Sequence, residues 1–225
     1  MKYDIVLVDL DNTLLDFLAA SYAALLKTFH HFGYEFAERE RDIFFAINEG
    51  MWKEFEVGKI QKSEIYPGRF RRYLERQGLQ GDPEALNAFY MPHLREGHQL
   101  MPHALELMET LKRMGCILGA ATNGETESQY KRLAESGLLP FFDHLFISEE
   151  LGANKPTAAY FDRVFAILGE DARSRAIILG DSLTSDMQGG RNAGIATCFI
   201  GDPAEADDRC DYIITDLMDF PAILL

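Results

Sequence analysis

Short, unbroken apolar runs recur along this chain with helix-sized spacers between them, and their distribution restricts the fold more than any other feature. The first, "IVLV" at Ile5–Val8, is β-branched and uninterrupted, as expected of a strand buried on both faces of a parallel sheet. The others come only after residue 115: "CILGAAT" (116–122), "HLFIS" (144–148), "AIILGD" (176–181), "ATCFIG" (196–201) and "YIIT" (212–215). Strands alternating with helices in this way predict a doubly wound, Rossmann-like parallel α/β sheet. Between residues 16 and 98 the pattern differs. Aromatic and charged residues dominate there, and Phe44, Ile47, Met51, Trp52 and Phe55 recur at helical intervals. That stretch reads as four helices broken near Gly33, Gly58, Gly78 and Pro92. The predicted organisation is an α/β core, residues 1–15 and 99–225, opened after its first strand by a helical-bundle cap domain at residues 16–98.

Composition narrows the partners. With 225 residues, 47% apolar and 26% charged, the chain can bury a substantial core and has no low-complexity tract. A formal charge of -14 without a Lys/Arg-dense stripe disfavours nucleic acid polymers and anionic membranes, but a small anionic substrate fits if one site concentrates cations. Cys116, Cys198 and Cys210 form no CxxC pair, so reduced thiols are expected instead of a disulfide framework or a zinc site. The N-terminal "MKYD" runs directly into the first strand, and no stretch has the length of a membrane span; a cytoplasmic location is the expectation. Oligomeric state is not legible.

In a parallel sheet the carboxyl ends of the strands face one side, so residues distant in sequence converge there. These ends carry Asp9 and Asp11, then Thr122 and Asn123, then Lys155 in "GANKP", then Asp181 with Asp186. Two carboxylates as close as Asp9 and Asp11 repel each other and lose hydration at a buried strand end, unless a cation or a shared proton relieves them. Mg²⁺ suits such a place, since it takes oxygen ligands and usually one or two carboxylates plus phosphate oxygens and waters. Asp9, Asp181 and a backbone carbonyl near Asp11 are the expected ligands, with Asp186 holding a metal-bound water. Taken singly, each residue has a plainer reading: an Asx turn for the Asp pair, helix capping for Thr122 and Asp186, a solvated loop for Lys155. The ordered set at successive strand ends outweighs them. A calcium loop starting at Asp9 is excluded because its sixth and twelfth positions are Leu14 and Ala20. His93, His98 and His103 are separated by helix breakers and read as surface or linker residues, while Phe17, Trp52 and Phe55 read as packing residues before a base-stacking platform.

The motifs "DLDNT", "TNG", "NKP" and "GDSLTSD", in this order and spacing, resemble the four motifs of the haloacid dehalogenase superfamily, and the insertion after the first resembles its helical C1 cap. The longer stretches "DLDNTLLDF", "INEGMWKEFEVGKI", "TNGETESQYKRL", "ISEELGANKP" and "GDSLTSDMQGGRNAGI" resemble bacterial pyrimidine 5'-nucleotidases. The resemblance implies a Mg²⁺-dependent phosphomonoesterase acting on nucleoside monophosphates such as UMP, dUMP and dTMP. Asp9 would be the nucleophile that becomes an aspartyl-phosphate, and Asp11 the general acid and base. Thr122, Asn123 and Lys155 would bind the phosphoryl group; Asp9, Asp11, Asp181 and Asp186 would serve the metal. Phosphoglycolate or a sugar phosphate is the alternative substrate. A 2-haloacid dehalogenase is disfavoured because a halide leaving group needs no acid such as Asp11. A signalling receiver would lack the inserted cap, and a non-catalytic phosphate-binding domain would have no use for both acids.

Overall fold

The computed structural model describes residues 1–225. In chain order, strand β1 (Ile5–Val8) is followed by helices α1 (Phe17–His31), α2 (Glu38–Glu56), α3 (Lys62–Gln77) and α4 (Pro83–Leu94). Then come α5 (Ala104–Met114), β2 (Ile117–Thr122), α6 (Thr126–Glu135), β3 (His144–Ile147), α7 (Ser148–Leu151) and α8 (Ala158–Leu168). The chain ends with β4 (Ala176–Gly180), α9 (Gln188–Ala193), β5 (Ala196–Ile200), β6 (Tyr212–Ile214) and α10 (Phe220–Ile223). It divides into two compact units, Met1–Asp16 with His98–Leu225, and Phe17–Gly97.

The larger unit is built on one six-stranded sheet of order β3-β2-β1-β4-β5-β6, with every neighbouring pair parallel. All six strand expectations fall on observed strands, each within two residues. Strand β1 is central, with Ile5 in register with both Ile117 and Ala176. Its side chains alternate between faces, as the period of two requires. Val6 and Val8 pack with Leu107, Met108 and Leu111 of α5 and Phe220 of α10. Ile5 and Leu7 pack on the other side with Tyr160, Phe161, Val164 and Phe165 of α8. Apolar layers on both faces explain why β1 reads as a continuous run.

The smaller unit packs α1–α4 around Leu25, Phe29, Phe44, Phe70, Tyr73, Leu86 and Tyr90. Phe29 stacks on Phe36 with ring centres 4.5 Å apart, and Phe44 meets Phe70 at 5.1 Å. The buried Arg69 guanidinium lies over the Tyr90 ring and donates to the side-chain oxygens of Asn48 and Asn87, linking α2, α3 and α4. Two expectations are corrected here. Pro92 lies inside α4, not at a break: its missing N–H leaves the Ala88 carbonyl without its helical donor, and burial of Tyr90, Met91 and Leu94 holds the last turn in place. Phe17 packs against the aromatic core, but Trp52 and Phe55 lie partly exposed and meet each other edge to face at 5.8 Å. They lie four residues beyond Asn48 and Met51, two of the buried positions of α2, in its last turns.

Candidate active site

The site begins where β1 ends. Asp9 still donates its backbone N–H to Leu179 on β4, so its side chain is aimed by the sheet itself. The chain then turns at Asn12, whose φ of 59° lies in the left-handed region that Asn tolerates better than most residues. The turn closes with Leu14 and Leu15 N–H groups on the Leu10 carbonyl. Across the sheet, β4 ends at Gly180 and delivers Asp181 beside a π-helical turn, Leu183–Met187, that carries Asp186. Ser182 caps that turn by accepting from the Ser185 N–H at 3.1 Å. Single π turns are frequent at functional sites.

Carboxylate oxygens of Asp9, Asp181 and Asp186 lie within 4.8 Å of one another. Lys155, itself 1% exposed, donates to Asp9 Oδ1, Asp186 Oδ1 and the Ala121 carbonyl, each at 2.6 Å. Asp186 is fully buried, and its other oxygen accepts from the Ser182 N–H. Gly180 makes room for it: a Cβ there would sit 2.8 Å from the Asp186 Cβ and closer still to its carboxylate. Asn123 holds the lysine loop, accepting from the Lys155 N–H at 3.0 Å and donating to its carbonyl at 2.9 Å.

Burial pushes Asp9 well above the usual carboxylate range; Lys155 opposes this, and Asp186 and Asp181 add to it. Burial, reinforced by Asp186, pushes Asp181 up to about 7. Burial works against the Lys155 charge, but Asp186 and Asp9 overcome it and hold the ammonium protonated. Three carboxylates facing one ammonium leave a negative excess in a dry place, which a divalent cation relieves. The oxygen-only donor set fits a hard cation such as Mg²⁺.

Asp11 points elsewhere. One carboxylate oxygen accepts from Gln129 Nε2 at 2.6 Å and the other is paired with the Arg132 guanidinium. Its carboxylate lies outside the cluster of Asp9, Asp181 and Asp186. Thr122 Oγ1 accepts from the Gly124 N–H at 2.9 Å and from Gln129 Nε2 at 3.2 Å. The Asn123 side chain, expected on phosphate, is engaged with the Lys155 backbone instead. The structure therefore brings Asp9, Lys155, Asp181 and Asp186 into one cluster and links Thr122 to Asp11 through Gln129.

Gln129 and Arg132 were missed as site residues. Their signal was present: both lie on the buried face of α6 with Leu133, where an amphipathic helix should be apolar. The histidines take separate partners, His93 the Phe89 carbonyl, His98 Glu135 and His103 Asp216. Cys116, Cys198 and Cys210 are free thiols.

A family model described as haloacid dehalogenase-like hydrolase matches residues 3–194. The chain belongs to the haloacid dehalogenase-like hydrolases. Among members of this family, it is 38% identical over 199 residues to the HAD-hydrolase YfnB of Bacillus subtilis, covering 88% of this chain and 84% of YfnB. The pyrimidine 5'-nucleotidase PynA of Streptococcus pneumoniae is equally similar, at 38% over 199 residues with the same coverage. The pyrimidine 5'-nucleotidase YjjG of Escherichia coli is 34% identical over 200 residues, covering 89% of this chain and 87% of YjjG. A crystal structure of YfnB bound to magnesium superposes with a TM-score of 0.93 at 36% identity, covering 100% of this chain and 99% of YfnB. No helix of this haloacid dehalogenase-like hydrolase is long and apolar enough to cross a membrane.

Proposed function

We propose that this hydrolase is a Mg²⁺-dependent phosphomonoesterase whose substrates are pyrimidine nucleoside monophosphates. The observation that carries the reading is the buried Asp9–Lys155–Asp186 bridge beside Asp181, with a second, differently held acid two residues from Asp9. The substrate class is supported by the similarity to PynA and YjjG, and the choice of metal by the magnesium-bound structure of YfnB.

In the first half of the reaction an Asp9 carboxylate oxygen attacks phosphorus, and the bond to the ester oxygen breaks. The electron pair leaves with that oxygen, which takes a proton from the Asp11 carboxyl. In the second half, water attacks the aspartyl-phosphate and gives its proton to Asp11, restoring Asp9 and releasing inorganic phosphate. Lys155 orients Asp9 through a direct hydrogen bond and offsets charge on the incoming phosphoryl group. Thr122 presents its hydroxyl to the phosphoryl oxygens, and Asn123, its side chain committed to the lysine loop, meets them through its backbone. Asp9, Asp181 and Asp186 would hold the Mg²⁺, which when bound neutralises charge on the transferring group and keeps Asp9 ionised.

The test is phosphate release from UMP, dUMP, dTMP, sugar phosphates and phosphoglycolate, with Mg²⁺ and with a chelator. Turnover is expected to be greatest on the pyrimidine nucleotides, to require Mg²⁺ and to vanish in Asp9→Asn. Near wild-type turnover by Asp9→Asn would refute the nucleophile assignment. Preference for a sugar phosphate or phosphoglycolate would refute the substrate class and leave the chemistry standing.

A further inference from the structure

We infer that Gln129 and Arg132 of α6 are positioning residues for Asp11, which they hold by both carboxylate oxygens; the inference rests on the phosphomonoesterase reading above.

The residues are three apart on one helical face, so their side chains reach the same place. Gln129 and Arg132 are 1% and 2% exposed, whereas the Asp11 side chain is 27% exposed. A fixed, buried pair of donors thus grips a carboxylate that is open to solvent. That is the arrangement needed for a group that must exchange protons with a leaving oxygen and with water while staying in one position. The grip is two-pointed, Gln129 on Oδ2 and Arg132 on Oδ1, which sets the rotation of the carboxylate as well as its place. Gln129 also reaches Thr122 Oγ1, so one amide connects a phosphate-site hydroxyl to the acid. Gly124 of "TNG" belongs to the same device. A Cβ there would fall 2.8 Å from Gln129 Cδ and nearer still to its amide nitrogen, so any other residue dislodges the amide from Asp11.

The arrangement implies that Arg132 acts on the reaction through Asp11, and Gln129 through Asp11 and, by its bond to Thr122, through the phosphate-site hydroxyl as well. The experiment is a double-mutant cycle on the full chain with Mg²⁺, using Arg132→Lys, Gln129→Met, Asp11→Asn and the two double variants. Activity is read on UMP, a poor leaving group, and on p-nitrophenyl phosphate, an activated one. Each α6 variant is expected to lose about 10- to 100-fold in kcat on UMP and less on the aryl ester, in the direction taken by Asp11→Asn, because general acid help is worth about 10²–10⁴ and matters most for poor leaving groups. In the Asp11→Asn background Arg132→Lys is expected to cost under about 2-fold, and Gln129→Met less than it costs in the wild-type background. Losses that multiply in the double variants, or that fall equally on both esters, overturn the inference. Gln129→Met keeps the volume of the buried side chain, so it carries the test should Arg132→Lys fail to fold. A wild-type protein that releases phosphate from neither ester overturns the phosphomonoesterase reading, and the inference with it; an active wild type with multiplying losses overturns the inference alone.

Discussion

Lys155→Met removes the only cation bonded to the buried acids and leaves a side chain of similar length in its place. In the native protein that ammonium binds Asp9 and Asp186 at 2.6 Å each, with all three groups largely buried. Deleting one partner of a buried ion pair typically costs about 3–5 kcal/mol, because the remaining charge stays buried without compensation. That is a large part of the ~5–15 kcal/mol by which a protein is stable. With an m-value near ~3 kcal/mol/M it moves the urea midpoint down by about 1–2 M. The sign of the pH dependence follows from the acids. Burial already raises Asp9, and losing Lys155 removes the group that opposes the rise. The variant's native state therefore holds protons that its unfolded chain releases, so its stability falls as pH rises and the loss is larger at pH 8 than at pH 5. Mg²⁺ is expected to recover part of it. The assay is urea unfolding followed by circular dichroism, since the single tryptophan, Trp52, belongs to the smaller unit. A loss under about 1 kcal/mol, or one of equal size at both pH values, would show that the acids are not charged against Lys155 and would refute the reasoning.

Two further outcomes are expected. In the wild type without Mg²⁺, Asp181, raised to about 7 by burial and by Asp186, keeps a proton that the unfolded chain loses near pH 4. Stability then declines between about pH 4 and pH 7, by up to about 1.4 kcal/mol per pH unit from this group, and the gain in melting temperature on adding Mg²⁺ grows over the same range; scanning fluorimetry with Mg²⁺ or chelator checks this, and a Mg²⁺ gain that shrinks with pH contradicts it. Gly180→Ala forces a methyl group into Asp186. It should cost about 1–3 kcal/mol in urea unfolding by overpacking and lower phosphate release on the order of 10²-fold by shifting Asp186 and Lys155, so an active, stable variant would mean that this side of the site can move.

Much of this protein was determined locally. The β-branched run Ile5–Val8 and its later counterparts set the parallel sheet, because a strand with apolar layers on both faces has no polar positions to alternate. Parallel strands then carried Asp9, Thr122, Lys155 and Asp181 to one edge, so the acidic cluster was legible from spacing alone. The tertiary structure decided how each group is held. Asp9 and Asp11 are two residues apart, yet one binds Lys155 and the other faces α6. The Asn123 side chain holds the lysine loop, and Gln129 and Arg132 became the partners of Asp11 across more than a hundred residues. Strand and helix periods state which face a side chain occupies, but the partner on that face is set by where the other elements pack, and hydrogen bonds over such separations exist only once they have packed.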